Sequence, residues 1–220
     1  MIIPLLRDPL GNFLKFQKRP FYFKLLLISL FAFLVRVLYV IFVEKGDPLN
    51  GDAFYYHHAS RFLVDGLGFI EPYRYMFGGA QELLFIEDPS YLTKTANQSL
   101  PVGHIEPTAG HPPLWVLFLA FPVLIGLDSV FIQQIFSALI GSVGVLTIGW
   151  AAREVVGEKS GLIAAGIASI YAFLWLNDGL LMSETLVIPI VAIIIGLSAR
   201  LYRKSSLYLV SAFAVIGGLA

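Results

Sequence analysis

The sequence predicts an all-α integral membrane protein, a multi-span helical bundle whose long external first loop contains juxtamembrane helices. Hydrophobic residues make up 57% of the 220 residues, charged residues make up 14%, and the mean hydropathy is +0.78. Such a composition excludes an ordinary soluble domain. Ten of the fifteen acidic residues fall between Glu44 and Asp128, so one acidic segment separates the apolar stretches. A chain this apolar retains few polar residues, and a polar segment this long indicates recognition or chemistry.

Residues 1–21 are predicted to be cytoplasmic, since basic residues favour the cytoplasmic side and this segment contains Arg7 and Lys15 among others. Residues 22–43 form a first span, because an apolar run of about 20 residues is long enough to cross a bilayer. No small-residue cleavage site follows it, so the segment should remain as an anchor. We therefore expect a multi-pass protein of the cell (plasma) membrane with a cytoplasmic N-terminus.

Residues 44–129 are predicted to form the external loop. An amphipathic stretch over 53–64 predicts a juxtamembrane helix that ends near Gly66. The apolar run 113–127 is short and begins with Pro-Pro, so it fits an interfacial or re-entrant helix better than a span. Glu87 and Asp88 are interpreted as solvated loop charges.

Residues 130–220 are predicted to contain further spans. With the run 113–127 kept on the outer side, the remaining apolar stretches place Arg153, Arg200 and Arg203 inside, as the bias of basic residues requires. The last run is about 15 residues long and too short to cross alone, which indicates the N-terminal part of something longer. The stretches are 130–152, 161–176, 185–199 and an incomplete 206–220.

This topology places Asp52, His111 and Glu184 at the outer surface, although they are far apart in sequence. Asp52 has two interpretations: an N-cap of the following helix, or a general base whose pKa is raised by apolar surroundings. His111 with its two prolines is either a rigid helix start or a donor at headgroup depth. Glu184 either complements a helix dipole or acts as a functional acid at the edge of the hydrocarbon, where Asp178 could share its role.

Two arginines are candidates for phosphate binding, because the guanidinium suits phosphate oxygens. Arg36 lies within the first span and either snorkels outward or pairs with an acid or anion under the external loop. Arg61 lies on the juxtamembrane helix. Adjacent His57 and His58 point in different directions on a helix, so they predict no metal site of their own. No Gly-rich phosphate loop or nucleophile elbow occurs, and there is no cysteine for thiolate chemistry.

The order of these motifs resembles the glycosyltransferase-C superfamily, and is closest to the branch of protein O-mannosyltransferases and the lipid A aminoarabinose transferase. The resemblance rests on Asp52 before Tyr55-Tyr56, on a loop that closes with His111-Pro112-Pro113-Leu114, and on Met182-Ser183-Glu184 before a later span. The resemblance covers nearly the whole chain and depends on the order and spacing of these motifs. Full-length members have many more spans than this chain.

The resemblance implies transfer of a sugar from a polyprenyl-phosphate carrier to a lipid, glycan or protein acceptor on the outer face. It assigns Asp52 as general base, Glu184 as the second acid and His111 to the carrier phosphate. Arg36 and Arg61 are added to the phosphate site on the chemistry of arginine alone. Some relatives use a divalent metal, but no metal-ligand set is compelling here and no cofactor is assigned. The expected partners are the carrier-linked sugar, its acceptor and membrane lipids. The equal numbers of acidic and basic residues give no case for nucleic acid.

Two other classes remain open. A transporter fragment would have charges and helix breaks near mid-membrane in repeated halves, whereas here the acids cluster in one segment and no repeat is visible. The other is a catalytically incomplete membrane module or truncated relative, kept for assembly or simply a gene fragment. Co-purification with a second membrane chain that carries the missing spans would favour assembly.

Overall fold

The computed structural model describes residues 20–78, 102–204 and 206–219. These residues form helices and their connections, together with one isolated antiparallel bridge between Ile70 and Pro107. The all-α prediction is therefore confirmed over the described part of the chain. Most of the predicted cytoplasmic segment, and the predicted loop charges Glu87 and Asp88, lie outside the described residues.

The helices are numbered here in chain order over the described residues. They are α1 (Phe21–Tyr39), which a π-helical turn (Val40–Glu44) extends, α2 (Gly51–Val64), α3 (Pro72–Phe77), α4 (Pro113–Leu124), α5 (Val130–Val156), α6 (Glu158–Ile170), α7 (Ala172–Gly179), α8 (Glu184–Arg203) and α9 (Leu207–Leu219).

Three helices of the described chain are long and apolar enough to cross a bilayer: Phe21–Glu44, Val130–Val156 and Glu184–Arg203. A helix rises about 1.5 Å per residue, so about 20 residues match a hydrocarbon core of about 30 Å. The predicted span 161–176 is instead a pair, α6 and α7, bent by 51°. The pair gives a fourth span if it crosses as one unit. Helix α4 has 12 residues and is too short to cross alone, as the sequence predicts.

The chain divides into two compact units, and the first comprises Met1–Arg36, Leu139–Trp175 and Val187–Ala220. Close contact in this unit depends on small residues, as is common between membrane helices. A Cβ atom on Gly161 would lie 2.6 Å from the backbone oxygen of Gly149, so α5 and α6 meet backbone to backbone. Buried residues of three helices form its core: Phe21, Leu25, Ala32, Val145, Ala165 and Ala168.

An ion cluster joins helix ends in the same unit. Glu154, only 8% exposed, accepts from Arg200 at 2.7 Å and also from Arg203. Nearby, Arg153 donates to the hydroxyl of Tyr22 at 2.7 Å. Glu154 therefore ties α5 to the last turn of α8.

The second unit comprises Val37–Ala138 and Leu176–Leu186. Its centre is the packing of α2 against α4. Gln133 of α5 is fully buried beside them, and its side-chain amide bonds to both helices, as detailed below. This unit contains most of the residues that the sequence singles out.

Candidate functional site

Helix α2 presents an acid and two tyrosines on one face. Asp52, Tyr55 and Tyr56 are spaced three and four residues apart, which aligns side chains along a helix. Asp52 is exposed, whereas Tyr55 and Tyr56 are 3% and 2% exposed. The N-cap is Asn50, so Asp52 lies in the first turn and is not the cap. The alternative that Asp52 serves as an N-cap is therefore wrong, although its charge still suits the positive helix end.

His111 packs onto the same tyrosines. Its ring centroid lies 3.9 Å from that of Tyr55 and 5.4 Å from that of Tyr56. Pro113 occupies the first turn of α4, where a proline fits because that position needs no amide donor. The rigid helix start holds the imidazole against the tyrosine pair, and the role of His111 as a donor at headgroup depth stays a prediction.

Tyr56 connects α2 to the start of α8. Burial raises the pKa of its phenol, a hydrogen bond with Ser183 opposes this increase, and the charges of Asp52 and Glu184 add to it. Asp52 and Glu184 are themselves exposed. Two carboxylates that are distant in sequence thus act on one buried phenol, which stays protonated at neutral pH and can donate a hydrogen bond.

Glu71 is a site residue that the sequence did not indicate. Antiparallel pairing places it, because its N–H donates to the Glu106 carbonyl at 2.9 Å beside the bridge between Ile70 and Pro107. Burial raises the pKa of the Glu71 carboxyl, and a hydrogen bond from the backbone N–H of Tyr73 partly opposes this increase. No sequence signal could identify it, since its position depends on two segments that are distant along the chain.

Glu71 and Thr108 border the site from this paired segment. Burial, followed by the negative charge of Glu71, raises the pKa of Tyr55 to about 12, and a hydrogen bond with Thr108 lowers it. The charge of His111 in turn favours the ionised form of Glu71. The tyrosine pair therefore has acidic groups on more than one side.

Of the two predicted phosphate-binding arginines, Arg61 belongs to the same unit as this cluster but lies further along α2. Arg61 forms an ion pair with Asp128 at 3.5 Å, with side chains 44% and 55% exposed. It follows Asp52 by nine residues of α2, roughly 13 Å along the axis. Arg36 belongs to the first unit, where it is 1% exposed and donates to the Ala32 carbonyl at 3.1 Å. Phosphate binding by either arginine stays a prediction.

Asp178, which is predicted to share the role of Glu184, is buried and bonded within the protein. It is 1% exposed and its carboxylate accepts from the Thr185 hydroxyl at 2.8 Å. Within the described ranges, no three His, Cys, Asp or Glu side chains are grouped so that they could hold a metal ion.

A buried polar network fixes the site helix in place. Gln133 of α5 donates from Nε2 to Ser60 Oγ at 2.8 Å and to the Leu119 carbonyl at 3.1 Å. Its Oε1 lies 2.6 Å from Nδ1 of His57. Because the amide nitrogen has two acceptors, Oε1 must accept, so Nδ1 of His57 carries the proton and Nε2 does not. Burial lowers the pKa of His57, consistent with a neutral ring. One side chain thereby holds α2, α4 and α5 together.

Over the described residues the fold is all-α, with three helices long and apolar enough to cross a membrane and a candidate site centred on Tyr56. Comparisons with protein-family models, with curated proteins and with solved structures find no match to this chain.

Proposed function

We propose that this chain takes part in sugar transfer from a polyprenyl-phosphate carrier to a lipid, glycan or protein acceptor, with Asp52 as the general base. The observation that supports this most is the convergence on Tyr56. Asp52 and Glu184 both act on its phenol, and His111 packs against its ring. The motifs that carry the resemblance to the glycosyltransferase-C superfamily thus meet around one side chain.

The chemistry that we assign needs one base and a stabilised leaving group. The Asp52 carboxylate takes the proton of the acceptor hydroxyl, whose oxygen forms a bond to the anomeric carbon. The bond from that carbon to the carrier phosphate oxygen breaks, and the phosphate leaves with the electron pair. Attack in line with this bond inverts the anomeric centre.

The leaving phosphate requires hydrogen-bond donors rather than a further base. The Tyr56 phenol is protonated at neutral pH, and the His111 imidazole lies against it, so both are suited to donate to phosphate oxygens. Glu184 shares the electrostatic environment of Tyr56, and we assign it to orient the acceptor.

The transfer would occur on the outer face of the plasma membrane. A cytoplasmic N-terminus and an external segment 44–129 are the orientation that the basic residues favour. The ion cluster of Glu154 with Arg200 and Arg203 would then be cytoplasmic. The site residues would then lie at the depth of the lipid headgroups, where a carrier phosphate resides.

The test is transfer of radiolabelled sugar from polyprenyl-phosphate-sugar in membranes that contain the full chain. We expect Asp52→Asn to reduce kcat/KM by roughly 100-fold or more, the usual contribution of a positioned base. Asp65→Asn is the matched control, because Asp65 is the exposed C-cap of the same helix. Equal activity of the two variants would refute the role of Asp52, and no transfer by well-inserted wild-type protein would refute the proposed function.

A further inference from the structure

The connection between α7 and α8 contains a strained residue. Leu181 has a φ of 56° and is, among the described residues, the one non-glycine with positive φ. A bulky L-residue rarely adopts this left-handed conformation, because its Cβ crowds the backbone. Such strain persists where the surroundings determine the conformation, and it is concentrated at functional sites. Ser183 and Glu184 follow two and three residues after Leu181, so the conformation of Leu181 affects where they lie.

One buried side chain bonds to this strained residue. The indole N–H of Trp115 donates to the Leu181 carbonyl at 2.8 Å. Trp115 is 1% exposed and Leu181 is 0% exposed, so water does not compete for this bond. Removing the donor would leave a buried carbonyl without this partner, which costs more than a surface bond.

Trp115 belongs to the first turn of α4, and His111 lies two residues before that helix begins at Pro113. The His111 ring contacts the tyrosine pair, and Trp115 contacts the loop that leads to Ser183. The start of α4 and the residues that lead into it therefore touch both halves of the candidate site.

We propose that Trp115 is a positioning residue for the transfer reaction, a role that rests on the proposed function. Through its bond to Leu181 it holds Ser183 in contact with Tyr56 and keeps Glu184 beside the same phenol. Trp115 contacts neither the acceptor nor the carrier. It links the position of His111 to that of Glu184, so that both reach the site together.

Hydrogen–deuterium exchange of the full chain tests the link without any substrate. Trp115→Phe removes the N–H donor and should speed exchange of amides 179–184 by roughly tenfold. The matched control is Trp175→Phe, whose indole donates to the Ile170 carbonyl at 3.2 Å outside this loop. If Trp115→Phe does not fold, benzothienylalanine at position 115 keeps the ring shape and replaces the N–H with sulfur. Unchanged exchange in these amides would overturn the proposal.

Kinetics in the transfer assay test the role in the reaction. Trp115→Phe should lower kcat by about tenfold with an unchanged KM for the carrier-linked sugar, while Trp175→Phe keeps wild-type kcat. In a Glu184→Gln background the effect of Trp115→Phe should largely vanish, because both changes act on one group. Full additivity of the two substitutions would overturn the positioning role. Faster loop exchange in an inactive wild-type protein would uphold the link while refuting the transferase function.

Discussion

Gln133 should contribute more to stability than Gln134, its neighbour of the same type on α5. Both side chains are buried, at 0% and 4% exposure. Gln133 has three hydrogen-bond partners, His57, Ser60 and Leu119, at 2.6, 2.8 and 3.1 Å. At about 1 kcal/mol for each bond, Gln133→Leu should lower the free energy of unfolding by about 3 kcal/mol. The loss at Ser60 is smaller than average, because its hydroxyl still donates to the His57 carbonyl.

Gln134→Leu is the matched comparison. Among the described residues the Gln134 side chain makes one hydrogen bond, from Nε2 to the Gly179 carbonyl at 2.9 Å. Its loss should cost about 1 kcal/mol, so the two variants should differ by about 2 kcal/mol. Because both replace Gln with Leu in one helix, differences in helix propensity and in hydrophobicity cancel.

The assay is unfolding of the purified protein in mixed micelles by increasing SDS, followed by far-ultraviolet circular dichroism. The fitted free energies of unfolding are compared at a common SDS fraction. Equal losses for the two variants, within about 0.5 kcal/mol, would refute the conclusion that Gln133 joins three helices.

Three further predictions concern stability. Gly161→Ala should lower the free energy of unfolding by about 1–3 kcal/mol because its Cβ would meet the backbone of Gly149. Gly166→Ala, with open space around its Cβ, should instead stabilise α6 by about 0.5–1 kcal/mol. Thermal unfolding in micelles would measure both changes, and a stabilising Gly161→Ala would contradict the packing. Burial, with the neighbouring histidine and arginine charges, lowers the pKa of His58 to about 4, so the unfolded chain alone takes up this proton below pH 6.5. The free energy of unfolding should therefore fall as the pH decreases from 6.5 towards 4, and it should fall less steeply in His58→Gln. Identical pH profiles of the unfolding free energy in the two proteins would refute this role of His58. Glu154→Gln should lower the free energy of unfolding by about 2 kcal/mol. The loss should be smaller in high salt, because the partner arginines are partly exposed. A salt-independent loss would argue against the ion cluster.

The long helices could be predicted because their signal is local. Apolar runs of about 20 residues have few structural alternatives, so the predicted spans 22–43, 130–152 and 185–199 match α1, α5 and α8 to within a few residues. The break at Tyr171 could not be predicted. Tyr171 lies inside an apolar run without proline, so nothing in the local sequence marks the end of a helix. In the structure its backbone is extended, with φ −72° and ψ 114°.

The candidate site could be predicted in its residues but not in its arrangement. Asp52, His111 and Glu184 were recognisable by residue type and by their place next to apolar runs. That Tyr56 is their common neighbour, and that Glu71 lies at the border of the candidate site, depends on the pairing of segments that are distant along the chain. Periodicity and propensity describe neighbours along the chain, so they carry no information on such pairing.

The antiparallel pairing beside Glu71 also bears on how this protein could vary. The N–H of Glu71 donates to the Glu106 carbonyl, and the N–H of Thr108 donates to the Phe69 carbonyl, at 2.9 and 3.0 Å. These bonds join the two ends of the chain segment between them. Doubling the length of such a closed loop costs only about 0.6 kcal/mol of closure entropy. A change of length within that segment would therefore carry a small cost in closure entropy, while Glu71 and Thr108 keep their places beside the tyrosine pair.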